Sequence, residues 1–94
     1  MTPEAKVKKT CKKILDDLGA YYFMPQAGAF GRSGVPDIIG CLCGKFFAIE
    51  CKAGKGETTA LQDKEIKNIR DAGGIALVIN EHNIEEILKC LMPS

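Results

Sequence analysis

A three-layer α/β sandwich on a mixed sheet is the fold predicted for this chain of 94 residues, and three observations predict it. Apolar residues recur at helical spacing from Val7 to Leu18. Short apolar runs of strand length stand at Ala20–Met24, Asp37–Leu42, Phe46–Cys51 and Ile75–Ile79, and helix-start signals at Thr2, Thr59 and Asn83. The resulting order, α, β, β, β, α, β, α, lets helices cover both faces of one sheet.

The first helix is framed by Thr2 as N-cap, Pro3 at the first helical position, Glu4 in an acidic first turn and Gly19 as the stop. Val7, Cys11, Ile14, Leu15 and Leu18 form its apolar stripe, and Lys6, Lys8, Lys9, Lys12 and Lys13 spread over the rest. A short aromatic strand over Ala20–Met24 is closed by Pro25. Gln26 to Val35 is a glycine-rich loop with Gly28, Gly31 and Gly34, one aromatic, Phe30, and one cation, Arg32. Cys43-Gly44 reads as the turn of a hairpin whose two strands are expected to be buried on both faces. After a polar loop, Thr59 and Gln62 have the spacing of a capping box, and the helix they open runs to about Ala72 before Gly73-Gly74. Ile75–Ile79 is a continuous apolar strand, and Asn83 is expected to cap a last helix burying Ile84, Ile87, Leu88 and Leu91.

A single domain, residues 1–94, is expected, since no repeat or composition shift divides the chain. Hydrophobic residues make up 46% and charged ones 27%, the balance of a globular domain rather than a disordered one. No apolar run approaches the ~20 residues of a membrane span, and the N-terminus opens into a charged helix, so a soluble, cytoplasmic protein is expected. Thirteen basic residues against twelve acidic ones leave a net charge of +1, so any nucleic-acid contact has to be local. A domain this small buries only about 60–65% of its unfolded surface, which favours a homodimer. The five cysteines, an odd count without a repeated C-x-x-C, fit small buried hydrophobes better than a disulfide framework or a zinc site.

The hairpin carries the chemistry. With Cys43 and Gly44 as the two loop residues, Leu42 faces Lys45 and, pair by pair, Asp37 faces Glu50. Facing Cβ atoms lie roughly 4.5–5.5 Å apart, so two carboxylates there repel unless a cation sits between them. Lys52 shares the face of Glu50, whereas Cys51 points the other way and leaves its backbone carbonyl at the strand edge. Hard oxygen donors of this kind suit Mg²⁺, with Mn²⁺ as a substitute, in a phosphoryl-hydrolysis site. A loop longer by one residue would send Asp37 to the opposite face.

Gly34-Val35-Pro36-Asp37, a hairpin, Glu50-Cys51-Lys52 and then a helix bearing Gln62 together resemble the PD-(D/E)XK nuclease superfamily, and within it the virus-type replication-repair nuclease (VRR-NUC) domains. The resemblance runs from Glu4 to Ile79. It implies a restriction-endonuclease-like three-layer α/β/α sandwich and metal-dependent DNA cleavage. Carried over by position, Asp37, Glu50 and the Cys51 carbonyl hold the metal, Glu4 reaches it through water or serves only its helix start, and Lys52 orients the attacking water. Gln62 belongs either to the site or only to the capping box with Thr59.

Up to Gly56 nine basic residues face five acidic ones, a charge of +4, and the remainder carries −3, so positive potential gathers on the part that holds the site. Arg32, Lys8, Lys9, Lys12, Lys45 and Lys55 are the candidate DNA contacts. Neither the Gly54-Lys55-Gly56 segment nor the glycines at 28, 31 and 34 has the spacing of a phosphate-binding loop, so no nucleotide cofactor is expected. The function expected is a Mg²⁺-dependent endodeoxyribonuclease, a homodimer cutting branched DNA such as Holliday junctions in repair or recombination. The alternatives are a nonspecific, flap- or nick-directed nuclease, a non-catalytic DNA-binding module, and a regulatory thiol protein.

Overall fold

The computed structural model describes residues 1–26 and 31–92. Its elements follow the order α1 (Pro3–Leu18), β1 (Tyr21–Phe23), β2 (Ile38–Leu42), β3 (Lys45–Cys51), α2 (Ala60–Asp71), β4 (Ile75–Ile79) and α3 (Glu86–Leu91). Gly28 and Phe30 of the glycine-rich loop lie outside the described residues. The four strands form one sheet in the order β1-β2-β3-β4, antiparallel except for the parallel β3–β4 pair. It is the predicted mixed sheet, and α2 makes the crossover that a parallel pair requires.

Helix α1 begins and ends as its sequence dictates. The Thr2 hydroxyl accepts from the Ala5 amide, and Gly19 takes the left-handed conformation at φ 75°. Val7, Cys11 and Leu15 are buried, and Ile14 and Leu18 pack at the margin. They meet Ile38, Phe47, Ile49, Cys51 and Ile79 of the sheet together with Ile87 and Leu91 of α3, so α1 and α3 share one face.

The other face has only α2, whose Ile66 is buried. In a parallel pair in register, side chains at facing positions share a face, which puts Ala48, Glu50, Ala76 and Val78 on the α2 side. Antiparallel pairing extends that face through Phe46, Cys41, Ile39, Tyr21 and Phe23. One helix of 12 residues covers the β3–β4 half and leaves the rest in view, with Tyr21 72%, Phe23 47% and Phe46 44% exposed. Both-face burial therefore holds for β3 from Phe47 onward and fails for β2, where Cys41 is exposed.

Three details depart from expectation. Asn83 does not cap α3; its side chain accepts from the Asn80 amide and donates to the Val78 carbonyl and to Glu86, bracing the turn before the helix. Leu88 is 41% exposed, because the six-residue α3 turns only Ile87 and Leu91 inward. Of the cysteines, Cys11 and Cys51 are buried, with Cys51 Sγ 3.9 Å from Cys11 Sγ, whereas Cys41, Cys43 and Cys90 are exposed.

Candidate active site

The site is built by the end of the β2–β3 ladder. Cys43 at φ 52° and Gly44 at φ 81° make the two-residue turn with both residues in the left-handed region, the geometry that matches strand twist. Pairing then runs from Leu42 opposite Lys45 to Ile38 opposite Ile49, the predicted register, and stops one position before Asp37 and Glu50. Beyond that point the Cys51 amide has no β2 carbonyl to meet. The Asp37 carboxylate takes its place, Oδ2 accepting at 2.8 Å. Because the N–H and C=O of a strand residue point to the same side, the Cys51 carbonyl is turned to the side of Asp37 as well. The next amide, Lys52, points the other way and bonds to the Ile79 carbonyl on β4.

Glu50 is the one buried charged residue among those described, at 3% exposure. Its Oε2 is held by Lys52 Nζ at 3.3 Å and by Gln62 Nε2, which donates at 3.0 Å. Its Oε1 is buried with no hydrogen-bond partner. Burial, followed by the negative charge of Asp37, raises the Glu50 pKa from 4.5 to about 7, with Lys52 opposing the shift.

Gln62 combines the two roles that its position suggests. Its Oε1 accepts from the Thr59 amide while the Thr59 hydroxyl accepts from the Gln62 amide, a complete capping box. With the oxygen so engaged, the amide nitrogen is the end left to face Glu50. The loop before Asp37 is docked on the same helix start. Gly34, at φ 79°, lies so close to it that a Cβ there would stand 2.5 Å from the Leu61 carbonyl carbon.

Lys8 reaches this site from α1. Its Nζ lies 3.6 Å from Asp37 Oδ1 and 3.6 Å from Glu4 Oε2. Partial burial lowers the ammonium's pKa, but Asp37 and then Glu4 more than offset this and leave it above the ordinary lysine value. Glu4 thus joins the cluster through Lys8. The sequence offered a hint in the Glu4–Lys8 spacing of one helical turn, but nothing in it tied Lys8 to Asp37.

The remaining candidates are placed around this centre or away from it. Lys9 and Lys12 are exposed on α1, and with Lys8, Met1, Ala5 and Met24 they line a shallow depression. Lys55 is exposed in the turn just after Lys52. Lys45 sits at the opposite end of β3, five residues from Glu50 and so roughly 17 Å away at the rise of a strand. Arg32 is held on Glu65 at 2.8 Å, where it lines two adjoining depressions of about 350 and 260 Å³ with Phe46 and Ile69; neither includes Asp37 or Glu50.

Among the described residues no three His, Cys, Asp or Glu side chains form a metal-binding group. What the site offers is two carboxylates and a main-chain carbonyl, hard oxygen donors, with one buried carboxylate oxygen unpartnered; this donor set fits a divalent cation such as Mg²⁺. Among the described residues no helix is long and apolar enough to cross a membrane.

Fold and site together define a three-layer α/β/α sandwich with an acidic pair and a lysine at the end of its central hairpin. A solved structure described as a VRR_NUC domain has this same fold, with a TM-score of 0.77 and 22% sequence identity over 96% of this chain and 98% of that one. The fold is accordingly restriction-endonuclease-like, as the resemblance implied. No family model matches the sequence. No curated protein matches it either.

Proposed function

We propose that this chain is a metal-dependent DNA endonuclease of the VRR-NUC type, hydrolysing phosphodiester bonds, and that it works as a homodimer on branched DNA such as four-way junctions. The observation that carries the proposal is that Asp37 and Lys52 both stand beside the buried Glu50 carboxylate, one of whose oxygens is buried without a partner. A carboxylate raised to about 7 by burial is costly to keep ionised unless a cation joins it.

Asp37, Glu50 and the Cys51 carbonyl would hold the cation. A divalent ion, Mg²⁺ or Mn²⁺, supplies a lowered pKa for the attacking water and charge neutralisation at the phosphate. The chain's own groups do the positioning. The Cys51 amide fixes Asp37, Gln62 and Lys52 fix Glu50, and the Lys52 ammonium presents the positive charge that orients the nucleophile and steadies charge building on the phosphate. Lys9, Lys12 and Lys55 are exposed near this end of the molecule and suit the flanking backbone phosphates. The exposed aromatic side chains Tyr21 and Phe23 of β1 and Phe46 of β3 support the dimer, because they leave an apolar face for a second copy, and a two-fold assembly presents two sites to a two-fold substrate.

The test is Mg²⁺-dependent cleavage of a labelled four-way junction, a 5′ flap and a linear duplex by wild type, Asp37→Ala and Lys52→Ala, with the molecular mass in solution measured alongside. Paired, symmetric junction cuts that both variants lose are expected, from a particle of twice the chain mass. Equal rates on junction and duplex would leave a nonspecific nuclease. DNA binding without cleavage in either Mg²⁺ or Mn²⁺ would make the chain a binding module.

A further inference from the structure

Each carboxylate of the site has one oxygen held by the hydrogen bonds that fix it and a second outside them: Asp37 Oδ1, which faces Lys8, and Glu50 Oε1, which is buried without a partner. Asp37 Oδ2 accepts from the Cys51 amide at 2.8 Å, and Glu50 Oε2 is held by Gln62 and Lys52. A cation between the two acids therefore has Asp37 Oδ1 and Glu50 Oε1 to work with. Asp37 Oδ1 is the oxygen that faces Lys8 Nζ at 3.6 Å. Glu4, one turn back on α1, pairs with the same ammonium at 3.6 Å. The Lys8 side chain is 30% exposed and stands at the end of a row with Lys9 and Lys12.

We infer that Lys8 is a built-in counterion that competes with the divalent cation for Asp37 Oδ1, and that a DNA backbone phosphate arriving along the α1 lysine row draws it away, so that DNA binding and metal binding strengthen one another. The inference rests on the metal-nuclease reading of the site. Its physical basis is that two cations a few ångströms apart at one carboxylate oxygen repel, whereas a phosphate offers the ammonium an alternative partner. The flexible lysine stem allows the change without movement of α1. Coupling of this kind is reciprocal, so whatever affinity Lys8 removes from the metal in free protein returns when DNA takes the lysine. Glu4 acts here as a positioning residue that keeps the ammonium beside Asp37.

The test is Mn²⁺ titration of the DNA-free protein, followed by the electron paramagnetic resonance of free Mn²⁺. Four proteins are compared: wild type, Lys8→Met, Lys12→Met and Asp37→Ala. Lys12→Met makes the same charge change one turn further along the helix, outside the contact with Asp37. The expected result is that Lys8→Met binds Mn²⁺ about tenfold more tightly than Lys12→Met, the scale of removing one unit charge a few ångströms away at a partly screened site. Equal or weaker binding by Lys8→Met, with Asp37→Ala defective, would overturn the competition and leave the metal site standing. Binding by Asp37→Ala as tight as that of wild type would remove the metal site itself and the inference with it.

Discussion

Glu50 predicts a stability that runs against the usual trend for a carboxylate. Its folded-state pKa, raised from 4.5 to about 7, lies above the unfolded value, so the folded state holds the proton more tightly. The stabilising contribution is complete below about pH 4.5 and is lost as the pH rises through 7. At 1.36 kcal/mol per pKa unit it amounts to about 3 kcal/mol. Glu50→Gln is neutral at every pH and keeps an oxygen to accept from Gln62 and Lys52. In EDTA at pH 8 the variant should be more stable than wild type by up to about 3 kcal/mol, roughly 10–20 °C in midpoint for a domain of this size. The advantage should vanish toward pH 4.5. The assay is thermal and urea unfolding of both proteins between pH 4.5 and 8, read as their difference so that the other carboxylates cancel. Mn²⁺ at pH 8 should then raise the midpoint of wild type more than that of the variant. A difference between the two that does not change with pH would refute the assignment of the shift to Glu50.

Three further outcomes follow from the same geometry. Gln62→Glu retains the capping box and hence the start of α2, but sets a second carboxylate about 3 Å from Glu50; melting in EDTA at pH 5 should change by less than about 1 kcal/mol while cleavage falls at least tenfold, and Gln62→Ala should lose cleavage and also about 1 kcal/mol of stability. Gly34→Ala combines a left-handed backbone with a Cβ 2.5 Å from the Leu61 backbone, so a loss of more than about 2 kcal/mol by urea unfolding is expected, with Asp37 displaced. Lys9→Met should lower the salt dependence of DNA binding by close to one phosphate contact, about 0.9 in the logarithmic slope, and Lys45→Met, at the far end of β3, should leave it unchanged in a fluorescence-anisotropy titration.

The elements and the central pairing are legible along the chain. The periodicity from Val7 to Leu18, the caps at Thr2, Gly19 and Thr59, and a two-residue turn that admits one register are all local signals, and that register brings Asp37 beside Glu50 at the end of the ladder. Gln62 was legible in part: the capping box is written in its spacing from Thr59, but only the placement of α2 over β3 shows that the other end of the same amide meets Glu50. Contacts that cross between layers are set by the packed fold. The union of Lys8 with Asp37, the retention of Arg32 on Glu65 and the close approach of Gly34 to Leu61 each join residues from elements that sequence spacing does not relate. The same holds for the exposed Phe23 and Phe46, which are apolar enough to be core and remain in view because one helix is too narrow to cover four strands. Backbone hydrogen bonding and periodicity act over a few residues and can be read along the chain, whereas packing and charge pairing depend on which surfaces meet once the layers have closed.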